Sequence, residues 1–221
     1  MRKMHMIVLF CIIVGCVAAS CSQKVEWVPL FGEDYSQAIY DETAWFHHDG
    51  VLTATEDREI WAVGEYENFE LKLEFMNEPG TNSGVIVYCT DIENWIPNSV
   101  EIQIADDHSE RWGTARKDFQ CGAIFGHLAA SRQKVVNEPG QWNTMVVTCK
   151  GQLIEVVLNG EKIVSMDMGL WTSAETNPDG SPIPRWLSNP KAEMPTRGAI
   201  GFQGKHGDAS IHLRNVMIRM L

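Results

Sequence analysis

Phe69-Glu70-Leu71-Lys72-Leu73-Glu74-Phe75 places two aromatic rings and two leucines at every second position, with a charged residue in each gap. Side chains of an extended chain alternate between faces, so this run has one apolar face and one charged face. A helix would scatter the same residues around its circumference. The segment therefore reads as a half-buried strand, and its neighbours read the same way. Val85 to Cys89 is a β-branched run of strand length, and Val100-Glu101-Ile102-Gln103-Ile104 alternates again. Met145 to Lys150 and Leu153 to Leu158 form an expected hairpin about Lys150-Gly151-Gln152. Asn159-Gly160 is a tight-turn dipeptide leading into Glu161-Lys162-Ile163-Val164, and Ala199 to Gln203 and Ser210 to Met220 close the chain as strands.

No stretch sustains a helical period, and turn residues recur at Pro79-Gly80, Pro97-Asn98, Pro139-Gly140 and Asn177-Pro178-Asp179-Gly180. Many short strands between such turns describe an all-β fold, a β-sandwich or jelly roll of two antiparallel sheets. Asn82-Ser83-Gly84 reads as one more turn, with glycine supplying a positive φ. The segment 169–197 is long, polar and proline-rich, yet it holds Trp171 and Trp186. A loop of that length is functional or disordered, and its tryptophans favour an ordered lid. With no repeat and no linker, residues 27–221 read as one domain with enough chain for a large core.

The first 20 residues have a different character. Arg2 and Lys3 precede an uncharged, apolar run from Met6 to Val17, which ends in Ala18-Ala19-Ser20-Cys21. A membrane span needs roughly 20 apolar residues, whereas a signal h-region needs about 7–15. Residues 1–20 are thus expected to be a signal peptide, and the small residues before Cys21 resemble a bacterial lipobox. Cys21 is the expected lipidation site and residues 21–26 a tether, with an ordinary secretory signal as the alternative. Gly15-Cys16 offers a second lipobox, but cleavage there would leave Val17-Ala18-Ala19 on the mature end. The expected location is the bacterial cell envelope, periplasmic or outer-membrane, with membrane contact only through the anchor.

The chain carries a net charge of −11, and loss of Arg2 and Lys3 with the leader makes it more acidic still. Nucleic acid is excluded as a partner on that ground, because phosphate neutralisation needs clustered cations. Cys89, Cys121 and Cys149 match no zinc spacing and read as buried small hydrophobes. Serine-hydrolase, metalloprotease, phosphate-loop, dinucleotide and EF-hand signatures are all missing from the sequence.

Residues suited to chemistry remain. Glu101 and Gln103 share the face of their strand opposite Val100, Ile102 and Ile104. An acid beside an amide on an open sheet face suits a sugar site, and a solvated outer face would account for the pair equally well. Gln203-Gly204-Lys205-His206-Gly207 groups three polar side chains among glycines at a strand end, and His206 is suited to proton transfer near neutrality. His127, after Gly122-Ala123-Ile124-Phe125-Gly126, is a further candidate, whereas Arg214 reads as a strand arginine paired with a carboxylate. Eight tryptophans are available for the core or for stacking on pyranose faces, with Trp95, Trp112, Trp171 and Trp186 in turns or loops.

Taken in order, Asn82-Ser83-Gly84-Val85, Val100 to Ile104, Gly122 to Gly126, Gly140-Gln141-Trp142-Asn143-Thr144, Leu158-Asn159-Gly160 and Gly198 to Gln203 with His206-Gly207 and Arg214-Asn215-Val216 resemble the 3-keto-disaccharide hydrolase domain family. The resemblance covers about Trp27 to Leu221. It departs from the family pattern at Val100, where tyrosine is common, and at Ala105, which separates the Glu-x-Gln strand from Asp106. It implies a concanavalin A-like jelly roll whose concave face binds carbohydrate.

The implied chemistry follows from the ketone. A 3-oxo group acidifies the C2 hydrogen, and the resulting enolate can expel the C1 substituent without an oxocarbenium ion. Glu101 is the expected base and His206 the leaving-group acid, with Asn82, Gln103, Gln203, Lys205 and His127 binding substrate. No cofactor is required, although a divalent metal at the enolate is an open alternative. A sugar 3-dehydrogenase is the partner that would supply the substrate. The competing reading is a noncatalytic carbohydrate-binding lipoprotein on the same fold. Convergence of these side chains in one pocket would separate the two.

Overall fold

The computed structural model describes residues 26–221, so the expected signal peptide and Cys21 lie outside the described residues. Thirteen strands run in chain order: β1 (Val28–Pro29), β2 (Ala38–Ile39), β3 (Trp45–His48), β4 (Val51–Ala54), β5 (Ile60–Ala62), β6 (Phe69–Asn77), β7 (Asn82–Cys89), β8 (Val100–Ala105), β9 (Trp142–Lys150), β10 (Leu153–Leu158), β11 (Glu161–Asp167), β12 (Ala199–Phe202) and β13 (Ile211–Met220). One sheet has the order β11-β10-β9-β6-β13-β4-β3, with β1 also paired to β13, and the other has the order β2-β5-β12-β7-β8. Every pairing between the strands is antiparallel. The result is the jelly-roll sandwich expected from the alternation.

The period-two pattern decides which residues fill the space between the sheets. Phe69, Leu71, Leu73 and Phe75 of β6 are fully buried, and Val100, Ile102 and Ile104 of β8 meet them from the opposite sheet in one continuous core. Asn159 and Gly160 both take positive φ, as the expected tight turn between β10 and β11 requires. Cys89, Cys121 and Cys149 are free thiols buried as small hydrophobes. Arg214 pairs with Glu74 across β13 and β6 at 2.7 Å and lies over the Trp142 ring, a structural role as expected.

Two long connections, 106–141 and 168–198, return over the smaller sheet. The first holds the short helix α1 (Glu110–Gly113), capped by the Ser109 side chain. The second is ordered by its own buried anchors. Trp171 is buried and donates its indole N–H to Asn177, whose amide donates in turn to the Gly126 carbonyl. Lys191 is 1% exposed, and its ammonium donates to the Ser99 carbonyl just ahead of β8. Burial pulls that amine down to about 8. Ile183, Leu187 and Met194 add apolar contacts to the main core, so the segment is a fixed lid.

One sequence reading is corrected by the sheet. Asn82-Ser83-Gly84 is the start of strand β7, and Gly84 does not have a positive φ. The turn lies one step earlier, at Gly80, with φ of +88°. Glycine at 84 answers a need for space, described below.

Candidate active site

The outer face of the smaller sheet carries the polar half of the alternation. In the β7–β8 register Gly84 is opposite Gln103 and Ile86 is opposite Glu101, so these four share one face. Residues at 84 and 201 are glycines, and neighbouring side chains occupy the space a Cβ would take. Glu101 Oε1 lies 2.2 Å from the position of a Cβ on Gly84, and the Trp61 ring lies 2.4 Å from that on Gly201. Glycines thus flatten the floor and let the Glu101 side chain lie along it.

Asn82, Glu101, Gln103, Gln203 and His206 line one cavity of about 470 Å³ above this floor. Its walls are aromatic: Trp95 on one connection, Trp112, Phe119 and Phe125 on another, and Trp186 on the lid. Phe119 and Phe125 stack with centroids 4.7 Å apart, and Trp186 is 58% exposed, its ring offered to whatever enters. Aromatic faces beside amide and carboxyl groups suit a sugar, which has both C–H faces and hydroxyl edges.

Each polar group is held by its neighbours. Gln103 donates to the Asn82 side-chain oxygen at 2.9 Å, which leaves the Asn82 amide nitrogen free to donate into the cavity. The Gln203 backbone is fixed at both ends: its N–H donates to the Gly84 carbonyl, and its own carbonyl accepts from Ser83 Oγ. Its side-chain amide is left without a partner among the described residues. His206 Nδ1 lies 2.8 Å from Asp57 Oδ2, leaving Nε2 as the free ring nitrogen. Asp57 sits in the β4–β5 loop, against which the backbone at Gly204 packs too closely for any Cβ.

The Glu101 carboxyl accepts no hydrogen bond from the described residues. Burial on the apolar floor, reinforced by the negative charge of Glu59, pushes it up to about 8. Glu59 itself accepts the Trp95 indole N–H at 2.7 Å. A carboxyl held above its usual range beside an Asp-supported histidine can exchange protons with a bound molecule.

Two expected ligands lie elsewhere. His127 does not line the cavity; it is buried, Nδ1 bonds the Phe125 carbonyl, and burial with Lys191 nearby lowers its ring to about 4. Lys205 is also absent from the lining, and its backbone N–H is fixed to the Glu56 carbonyl. Asp106 is buried and accepts from the backbone of Gly80 and His108, so it braces a turn. Asp57 and Glu59 escaped the sequence reading because Glu56-Asp57-Arg58-Glu59 looks like any solvated charged loop. Among the described residues no cluster of three or more His, Cys, Asp or Glu side chains could hold a metal ion.

Comparison with known proteins agrees with this architecture. A crystal structure of a candidate glycosyl hydrolase from Parabacteroides distasonis is 58% identical and superposes with a TM-score of 0.88, covering 89% of this chain and all of that one. A second candidate glycosyl hydrolase from the same organism is 24% identical, with a TM-score of 0.66 over 88% of each chain. A carbohydrate-binding module of Bacillus subtilis, 10% identical, shares the fold with a TM-score of 0.50 over 79% of this chain and 90% of that one. No curated protein matches. The profile of the 3-keto-alpha-glucoside-1,2-lyase-like domain matches residues 26–219, and the chain belongs to that family.

Proposed function

We propose that the protein cleaves 3-keto-glycosides, and that it does so as an envelope lipoprotein anchored through Cys21. The observation that carries the reaction is the gathering of Glu101, His206 with Asp57, and three side-chain amides in one aromatic-walled cavity. Glu101 takes the C2 proton, and the C–H electron pair moves toward the 3-oxo oxygen as an enolate. Asn82 and Gln203 supply N–H donors for that oxygen and for neighbouring hydroxyls. The enolate then re-forms the ketone, a C1–C2 double bond appears, and the C1–O bond breaks. His206, its Nδ1 held by Asp57, delivers a proton to the departing oxygen. Water adding across C1 and C2 returns a proton to C2 and a hydroxyl to C1, which completes hydrolysis. Release before that addition makes the enzyme a lyase.

A carboxyl near 8 is a stronger base than an ordinary glutamate, though mostly protonated at pH 7. These steps require no cofactor, and a divalent metal at the enolate oxygen is the alternative to the amide donors. A sugar 3-dehydrogenase is the reaction class that would supply the substrate. Incubating the purified protein with a 3-keto-glucoside and its unoxidised parent tests the reading: cleavage of the keto form alone is the expected result. Binding of both without turnover would favour a carbohydrate-binding module. Incorporation of labelled fatty acid, abolished by Cys21→Ser, tests the anchor.

A further inference from the structure

Arg111 lines the same cavity and has no assigned part in the proton transfers. Six of the eight arginines among the described residues, Arg58, Arg116, Arg132, Arg197, Arg214 and Arg219, each pair with a carboxylate, and of the two that do not, Arg111 and Arg185, only Arg111 lines this cavity. Arg111 pairs with none among the described residues, although the chain is strongly acidic and carboxylates are abundant. Its guanidinium lies over the Trp112 ring, 4.7 Å from the centroid. That ring is fixed in turn, since its indole N–H donates to the Gly80 carbonyl and its backbone N–H to Ser109 Oγ. The stack covers one face of the guanidinium and leaves its N–H edges free.

Glu59 and Asp57 beside the cavity give the site a negative surround that would repel an anion. A held cation with free donor edges reverses that field locally and presents a fork suited to the paired oxygens of a carboxylate, phosphate or sulfate. We propose that the cavity selects glycosides bearing an anionic substituent, whose charge Arg111 receives. The substituent sits either on the departing group or on the sugar, and both sources share this chemistry. The proposal deepens the 3-keto-glycoside reading, but its binding component stands independently of turnover.

The test uses phenyl glucoside, 4-carboxyphenyl glucoside and phenyl glucoside 6-phosphate, each unoxidised for calorimetry and as its 3-keto form for kinetics. The expected result is binding about tenfold or more tighter for at least one anionic probe than for the neutral one. The probe that gains identifies whether the charge belongs on the departing group or the sugar. Arg111→Gln is expected to collapse that ratio toward unity, Arg111→Lys to restore part of it, and added salt to lower it in the parent protein. Equal binding of all three probes, or a preference that survives Arg111→Gln, overturns the proposal. Failure to cleave any 3-keto form would sink the reaction reading instead, and the calorimetric ratio would still decide the role of Arg111.

Discussion

The Glu101 carboxylate lies across Gly84 of the neighbouring strand, so that a Cβ at residue 84 would stand 2.2 Å from Oε1 and 2.7 Å from Cγ. The clashing atoms, from Cγ outward, belong to a flexible side chain and not to backbone, and the Gly84 backbone is one that alanine can adopt. Gly84→Ala is therefore expected to leave the fold intact while swinging Glu101 off the floor. Displacing a reacting group by about 1 Å can cost on the order of a hundredfold in rate. Steady-state kinetics should show kcat reduced by about that factor with a nearly unchanged melting temperature. A variant with parental kcat would mean that Glu101 does not work from this position.

The pairing of Gly84 with Glu101 also marks where sequence reasoning stops. Alternation in β6, β8, β9 and β10 was visible because those strands are long and one-sided, and Asn159-Gly160 announced its turn. The strands β1 to β5 span two to four residues each, too short for a period to register. Glu101, Gln103, Asn82, Gln203 and His206 were legible as polar residues at strand positions and strand ends. Asp57 and Glu59 were not, because only the packing of the β4–β5 loop against the 203–207 turn brings them to the cavity. His127 is the reverse case: a histidine between turn residues reads as a candidate ligand, and the fold buries it outside the cavity lining.

Glu59 provides a separate handle on the base. Its charge adds to burial in holding the Glu101 carboxyl up to about 8, while His206 with Asp57 and the Arg111 guanidinium are the other charged or titratable groups at the cavity. Glu59→Gln removes the negative charge but keeps an oxygen that can accept the Trp95 indole N–H. The Glu101 carboxyl should then ionise at lower pH. In a plot of kcat/KM against pH, the limb that rises with pH should move toward acid, with little change in KM at its plateau. An unmoved limb would show that another group controls it.

Asp57 and His206 are both about half exposed, so their contact adds little to stability in water. Its expected value is in orienting the ring, with Nε2 toward the cavity. Asp57→Asn keeps an oxygen that can accept from Nδ1 but removes the charge, and should disturb proton delivery by His206 rather than the fold. Turnover of 3-keto-glycosides with alkoxide leaving groups should fall by about ten- to a hundredfold. A nitrophenolate, which departs without a proton, should be affected far less. Equal losses on both substrates would remove His206 from the acid role.

The raised carboxyl of Glu101 has a consequence for folding that catalysis does not touch. In the folded chain the group keeps its proton up to about 8, whereas the unfolded chain releases it near 4.5. Between those values the folded state binds more protons, so stability falls as pH rises. The contribution is fully present below about 4.5 and is lost as pH climbs through 8, when a charge must sit on the apolar floor without a hydrogen-bond donor. Glu101→Gln has the same shape and never ionises. Its melting temperature should match the parent at the acid end and exceed it by a widening margin as pH rises toward 9. Thermal melts across that range read the margin directly; a constant difference would mean that the folded protein does not hold this carboxyl neutral, and that Glu101 acts as an ordinary ionised glutamate.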